Sequence, residues 1–206
     1  MDPEPFDANA LSPVSVGTGG NRDEPVLHGP WTIVRSETRY ADPWIDLRVD
    51  QVIRPDGLPG TYSTVRLRPG VCVIALDEAL NVHLTREFHY AVGRVTLEGV
   101  SGGIEDQEDG RSAALRELQE ELGISAQYWE MMGTVDPFTS AILSPVQLFV
   151  ARGLSFHEPA TEGTEQIEGV QIPLAQAIDW IDQAIVTHAP TCVLLLKLAR
   201  RYLRAE

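Results

Sequence analysis

The spacing of apolar positions divides the chain into a patternless leader, a run of strands, and a longer segment that mixes strands and helices. Residues 1 to about 28 are rich in Pro, Gly, Asp and Asn and have no period, which reads as a flexible leader. From Trp31 the pattern changes. WTIVRSETRY and WIDLRVDQVIR read as strands, Pro55 to Gly57 as a turn, and TYSTVRL as a third strand. These predict a small antiparallel β module over residues 29–68, ahead of a main body over 69–206. VCVIALDE and NVHLTREF predict a hairpin around Ala79 to Asn81. Residues 99–110 carry Gly99, Gly102, Gly103 and Gly110 and read as a glycine-rich loop. Residues 111–122 predict a helix with Leu115, Leu118 and Leu122 as one apolar stripe. Strands are expected near 130–135 and 146–152. A polar loop, HEPATEGTEQ, precedes a strand, IEGVQI, and two helices over about 174–185 and 190–204 close the chain.

Composition narrows the function classes. A length of 206 residues suits one domain with a small extra module, and 43% apolar residues suffice for a core. A formal net charge of -14 argues against a nucleic-acid partner, which would favour a basic face. It leaves room for a small anionic substrate, because bound divalent cations reverse the local field. Cys72 and Cys192 each lie in an apolar run and read as reduced core thiols, with no CxxC zinc pattern. There is no run of 18 apolar residues and no charged-then-apolar leader with a cleavage site. The expectation is a cytoplasmic protein with no membrane partner.

The chemistry concentrates between Gly102 and Ile124, in GGIEDQEDGRSAALRELQEELGI. Glu117, Glu120 and Glu121 stand at i, i+3 and i+4 and share one helix face. Three like charges there repel, which a bound cation would relieve. Carboxylate oxygens suit Mg²⁺ or Mn²⁺, hard ions that prefer oxygen ligands. Glu108 lies just before the helix, where its dipole favours negative charge, and could pair with Arg116. A Glu-rich helix face is by itself commonly just solvated. The wider spacing decides otherwise.

That spacing resembles the signature of the Nudix hydrolases: Gly, five residues, Glu, seven residues, then Arg-Glu-apolar-any-Glu-Glu-any-Gly-apolar. Gly102, Glu108, Arg116, Glu117, Leu118, Glu120, Glu121, Gly123 and Ile124 fill every specified position. The resemblance implies an α/β fold, an α/β/α sandwich with a mixed sheet. It implies metal-dependent hydrolysis of the diphosphate linkage of a nucleoside-diphosphate compound. Glu117 and Glu121 would be the main ligands of Mg²⁺ or Mn²⁺, Glu120 a third, and the Ser101 carbonyl another. The catalytic set would be Glu121, Arg116, Glu108 and a general base. Gly102 and Gly103 would let the backbone approach the phosphates.

The flanks resemble the ADP-ribose pyrophosphatase branch, over about residues 29–204. In that branch an N-terminal β module usually builds a homodimer. LEGVSGG is similar to the branch's LELPAG, which makes Glu98 a candidate second-layer or substrate contact. TEQIEGVQIP is similar to the loop that delivers a late glutamate, which makes Glu165 the candidate base and Glu168 the reserve. GPWTIVRSETRY is similar to the start of the module, where an aromatic residue stacks on adenine. Trp31 would be that residue, with Tyr62 a second face, although Trp31 could equally pack a dimer interface. Arg66, Arg68 and Arg86 are candidates for phosphate or ribose. REFH departs from the branch's RQYR, so His89 stands where a substrate-contacting Arg is expected, and imidazole lacks the guanidinium fork. Pro137 and Pro145 do not fall on the branch's Pro marker. The substrate class is therefore ADP-ribose or a nucleotide sugar. The alternatives are a non-catalytic Nudix nucleotide sensor and an isoprenoid-diphosphate isomerase. Both usually carry a damaged or modified signature, whereas this one is whole.

Overall fold

A computed structural model describes residues 25–160 and 166–203. The chain divides into two compact units between Arg66 and Leu67. In the first, β1 (Val26–His28), β2 (Trp31–Ala41), β3 (Ile45–Ile53) and β4 (Pro59–Leu67) lie side by side in that order. β1 pairs antiparallel with β2, and β2 with β3. The last residues of the expected leader are thus strand, with Val26 opposite Ile33. The Pro55–Gly57 turn closes through the Gly57 amide on the Arg54 carbonyl at 2.9 Å. Gly57 takes a φ of 79°, a conformation in which a side chain is strained.

The second unit is built on β5 (Gly70–Leu76), β6 (Asn81–His89), β7 (Arg94–Glu98), β8 (Val100–Gly103), α1 (Gly110–Leu122), β9 (Ile124–Val135), β10 (Ile142–Leu143), β11 (Val146–Phe156), β12 (Glu168–Pro173), α2 (Leu174–Asp182) and α3 (Ala189–Tyr202). Its sheet runs β12-β6-β5-β11-β9, with β7 on β6 and β8 on β5. β11 pairs parallel with β5 and antiparallel with β9, so the sheet is mixed. Alternation along β5 explains the layers. Val71, Val73 and Ala75 pack with Ala113, Ala114 and Leu118 of α1. Cys72, Ile74 and Leu76 pack with Leu174 and Ala177 of α2 and Leu194, Leu195 and Leu198 of α3. Successive side chains of a strand face opposite ways, so one apolar strand serves two helical layers. The result is the expected α/β/α sandwich.

Two local expectations change. Val100 to Gly103, expected as loop, pair with β5 as a strand. The small residues there allow close backbone approach, which a strand uses as readily as a loop. The buried face of α1 is Gly110, Ala113, Ala114 and Leu118, while Leu115 is 40% exposed. Alanines let the helix sit close to the sheet, which rotates the stripe away from Leu115. Glu117, Glu120 and Glu121 are part-buried beside this face, and truncating the fully buried Leu118 to Ala would cost about 2–5 kcal/mol.

Candidate active site

The ends of α1 are set by its sequence. The Asp109 side chain caps it by accepting the Ser112 amide at 2.7 Å. Gly123 ends it in the left-handed region, φ 63°, with its amide on the Gln119 carbonyl at 3.0 Å. A Cβ at Gly123 would also come within 2.2 Å of the His157 carbonyl oxygen.

Arg116 is the centre of the site. Its Nε donates to Glu108 Oε1 at 3.1 Å and its Nη2 to Glu108 Oε2 at 3.0 Å. Nη1 donates to Glu117 Oε1 at 2.8 Å and Glu120 Oε2 at 3.2 Å, and Nη2 to the Gly103 carbonyl at 3.1 Å. One guanidinium fork thus binds three carboxylates and a main-chain oxygen, a task for which Lys lacks the geometry. Glu108 also accepts the Glu105 amide at 3.1 Å, which ties the loop to the helix. The Arg116 bond holds the Glu108 carboxyl below the usual carboxylate range. The same bond, with those to Glu117 and Glu120, raises Arg116 above its ordinary value.

Gly102 faces Glu117. A Cβ there would lie 1.9 Å from Glu117 Oε1 and 2.0 Å from its Cδ, so a side chain at this position would push the Glu117 carboxylate aside. Ser101, one residue earlier on β8, pairs with Cys72 of β5, and its hydroxyl donates to the Gly99 carbonyl at 2.7 Å. Burial pushes the Cys72 thiol up to about 11, and the charges of Glu98 and Glu121 add to that. Among the described residues no three His, Cys, Asp or Glu side chains converge as a ready cation nest. The physical reason is visible: Glu117 and Glu120 are turned onto Arg116. The donor chemistry nevertheless suits a hard divalent cation. Three carboxylates occupy one helix face, beside a strand that carries no Cβ at the point of contact. A cation would compete with Arg116 for Glu117 and Glu120.

A second cluster centres on Glu98. The Thr96 hydroxyl donates to its Oε1 at 2.7 Å, and His89 Nε2 lies 3.3 Å from the same oxygen. His188 Nδ1 lies 3.1 Å from Oε2. His89 Nε2 also stands 3.9 Å from Glu87 Oε2. Thr191 Oγ1 is 2.8 Å from His188 Nδ1 and accepts the Gly99 amide at 2.8 Å. Burial lowers the His188 imidazole below its ordinary value, opposed by the Glu98 charge. His188, Thr191 and Thr96 escape a reading of the chain alone. Their only local signals are Pro190 at the start of a helix and Thr96 two residues from Glu98 on one strand face.

The other candidates are placed as follows. Arg86 and Glu168 face each other across β6 and β12, with Nη1 to Oε2 at 2.8 Å. Glu165 lies outside the described residues. Trp31 and Tyr62 meet within the N-terminal unit, ring centroids 5.5 Å apart and planes at 77°. That is an edge contact, not a slot between parallel rings. Arg66, near the end of β4, is half-buried, and Arg68 is exposed.

Comparisons with known proteins agree with this geometry. A family model for the nucleoside diphosphate sugar hydrolase N-terminal domain matches residues 31–65, and one for the NUDIX domain matches residues 66–190. The chain is similar to the methanol dehydrogenase activator of Bacillus methanolicus, 27% identical over 165 residues, 78% of this chain and 88% of the relative. It is 26% identical over 166 residues to an ADP-ribose pyrophosphatase of Bacillus subtilis (strain 168), 77% of this chain and 86% of the relative. A solved structure described as an ADP compounds hydrolase shares the fold, with a TM-score of 0.71 at 24% identity, covering 84% of this chain and 94% of that one. With a NUDIX domain over residues 66–190 and the Arg116-centred glutamates within it, the chain belongs to the Nudix hydrolase family.

Proposed function

We propose that this enzyme hydrolyses the diphosphate linkage of an ADP-ribose-like nucleoside-diphosphate compound with the help of divalent cations on the α1 carboxylate face. The observation that carries the reading is the arrangement around Arg116: a complete acidic face set against the bare backbone at Gly102. The similarity to an ADP-ribose pyrophosphatase supports the substrate class. Glu117 and Glu121, with Glu120 and the Ser101 carbonyl, would hold Mg²⁺ or Mn²⁺. Such ions, when bound, neutralise charge that builds on the diphosphate and make a water more acidic.

The remaining work falls to the chain's own groups. Gly103 leaves room for phosphate oxygens beside the main chain, and Gly102 admits the Glu117 carboxylate. Arg116 and Glu108 hold the loop at a fixed distance from the helix. Glu165 takes a proton from the attacking water. Glu168 suits that role less, because its carboxylate is already engaged by Arg86 at 2.8 Å. Trp31 offers an aromatic face to the base of the substrate. His89, held at Glu98, leaves Arg66, Arg68 and Arg86 to meet phosphate or ribose, and a nucleotide sugar fits as well as ADP-ribose does. The N-terminal unit makes a homodimer, a role supported by exposed Leu27 and Tyr40 on β1 and β2 and by exposed Trp44 and Leu58 in the turns between strands.

A hydrolysis screen tests the reading. Purified enzyme with Mg²⁺ or Mn²⁺ is given ADP-ribose, nucleotide sugars, dinucleoside polyphosphates and NADH. The expected result is two monophosphates from ADP-ribose or a nucleotide sugar. Intact compounds across the whole panel would overturn it.

A further inference from the structure

We infer that Thr191 and His188, at the N-terminus of α3, are positioning residues that latch the β7–β8 junction and so set the Ser101 carbonyl and Gly102 against Glu117. At this junction the chain changes partners. Glu98 pairs with Thr85 of β6, whereas Val100 pairs with Val73 of β5. Gly99 stands between the two ladders, and its amide is taken by a side chain 92 residues away, Thr191 Oγ1 at 2.8 Å. Thr191 is fully buried, and its hydroxyl also lies 3.7 Å from Cys72 Sγ and 2.8 Å from His188 Nδ1. His188 in turn reaches Glu98 Oε2 at 3.1 Å. The start of one helix therefore grips both sides of the step: the Glu98 carboxylate through His188, and the Gly99 amide through Thr191.

The junction has no slack. A Cβ at Gly99 would come 2.8 Å from the Val73 carbonyl oxygen, 2.9 Å from Ile74 Cδ1 and 3.0 Å from Cys72 Sγ. Ser101 is tied back to it by its hydroxyl on the Gly99 carbonyl at 2.7 Å. One residue further, Gly102 lies against the Glu117 carboxylate. Displacement of Gly99 therefore moves the main chain that faces the acidic helix, two to three residues on. Groups that hold a metal's ligands in place commonly change its affinity by about 10–100-fold when removed.

This inference rests on the proposed cation-binding role of the α1 face, and the test separates the two. Mn²⁺ binding to the full chain is measured by electron paramagnetic resonance titration, without substrate. If wild type binds no Mn²⁺, the functional reading fails before the latch is reached. Given wild-type binding, Thr191→Val, which keeps shape and loses the oxygen, is expected to weaken Mn²⁺ about tenfold. Thr191→Ser, which keeps the oxygen, is expected to bind within about twofold of wild type. His188→Ala, which removes the Glu98 contact at a less buried position than Thr191, is expected to weaken Mn²⁺ severalfold and serves if Thr191→Val does not fold. Unchanged Mn²⁺ binding in Thr191→Val or in His188→Ala would overturn the latch, as would equal loss in Thr191→Val and Thr191→Ser.

Discussion

Arg116 and Glu98 are each the centre of a polar cluster, and the two are assembled at different ranges along the chain. Arg116 gathers Gly103, Glu108, Glu117 and Glu120, from the end of β8, the loop that follows it and the helix that loop leads into. Glu98 gathers His89 from β6, Thr96 from its own strand and His188 from the start of α3. The first cluster needs only that a short segment fold correctly. The second exists only when β6, β7 and α3 are all docked. A cation centre with acidic partners also differs from a carboxylate centre with imidazole and hydroxyl partners. The first fixes an acidic helix face beside β8; the second ties a strand to the start of α3.

Substitutions at the two centres should therefore diverge. The largest effect is expected from Gly102→Ala, whose Cβ would collide with the Glu117 carboxylate. Misplacement of a catalytic group by about 1 Å costs on the order of 100-fold in rate. A loss of that size in kcat/KM, with the melting temperature little changed, is the expected outcome, because the end of a Glu side chain can move aside. A smaller loss, under about tenfold, would show that the backbone at Gly102 is not critical. Next is Arg116→Lys. An ammonium cannot keep the two-point contact with Glu108 and also reach Glu117, Glu120 and the Gly103 carbonyl. Arg116 and its partners are partly exposed, so the expected stability loss in urea unfolding is about 2 kcal/mol, below the 3–5 kcal/mol of a fully buried pair. A loss under about 0.5 kcal/mol, the scale of a surface pair, would contradict the central role given to Arg116.

How much was legible follows the same division. Glu108, Arg116, Glu117, Glu120 and Glu121 lie within fourteen residues, and helical periodicity alone puts three of the glutamates on one face. The layers were legible as far as apolar runs such as VCVIAL imply strands. Leu115 misled, because three apolar residues on a stripe do not reveal that Ala113 and Ala114 allow a closer approach. His188 and Thr191 were not legible. Their meaning depends on α3 starting beside Gly99, and no local period encodes a contact across 92 residues. The pairing of Arg86 with Glu168 is of the same kind, since it needs the register of β12 on β6.

Two smaller effects sharpen the contrast. Glu98→Gln keeps the size and removes the charge, so His188 and His89 lose a charge-assisted partner while Thr96 keeps an acceptor. The expected stability loss is about 1 kcal/mol, read by thermal or urea unfolding at pH 7. The smallest effect is in pH. Arg116 lowers the folded carboxyl of Glu108, so its stabilisation is present above the ordinary Glu value of about 4.3 and is lost as pH falls through the lowered folded value. Unfolding curves from pH 7 down to pH 3 should show Glu108→Gln with a flatter acid dependence than wild type. Parallel curves would mean that Glu108 contributes nothing to acid sensitivity.

The most direct test follows the products of ADP-ribose by ³¹P nuclear magnetic resonance, with Mn²⁺, in wild type and Glu121→Gln. The account predicts that wild type yields AMP and ribose 5-phosphate, and that Glu121→Gln leaves the diphosphate signals intact at equal enzyme concentration while remaining folded. Turnover by Glu121→Gln at the wild-type rate, or equal turnover by wild type after chelation of divalent cations, would contradict it.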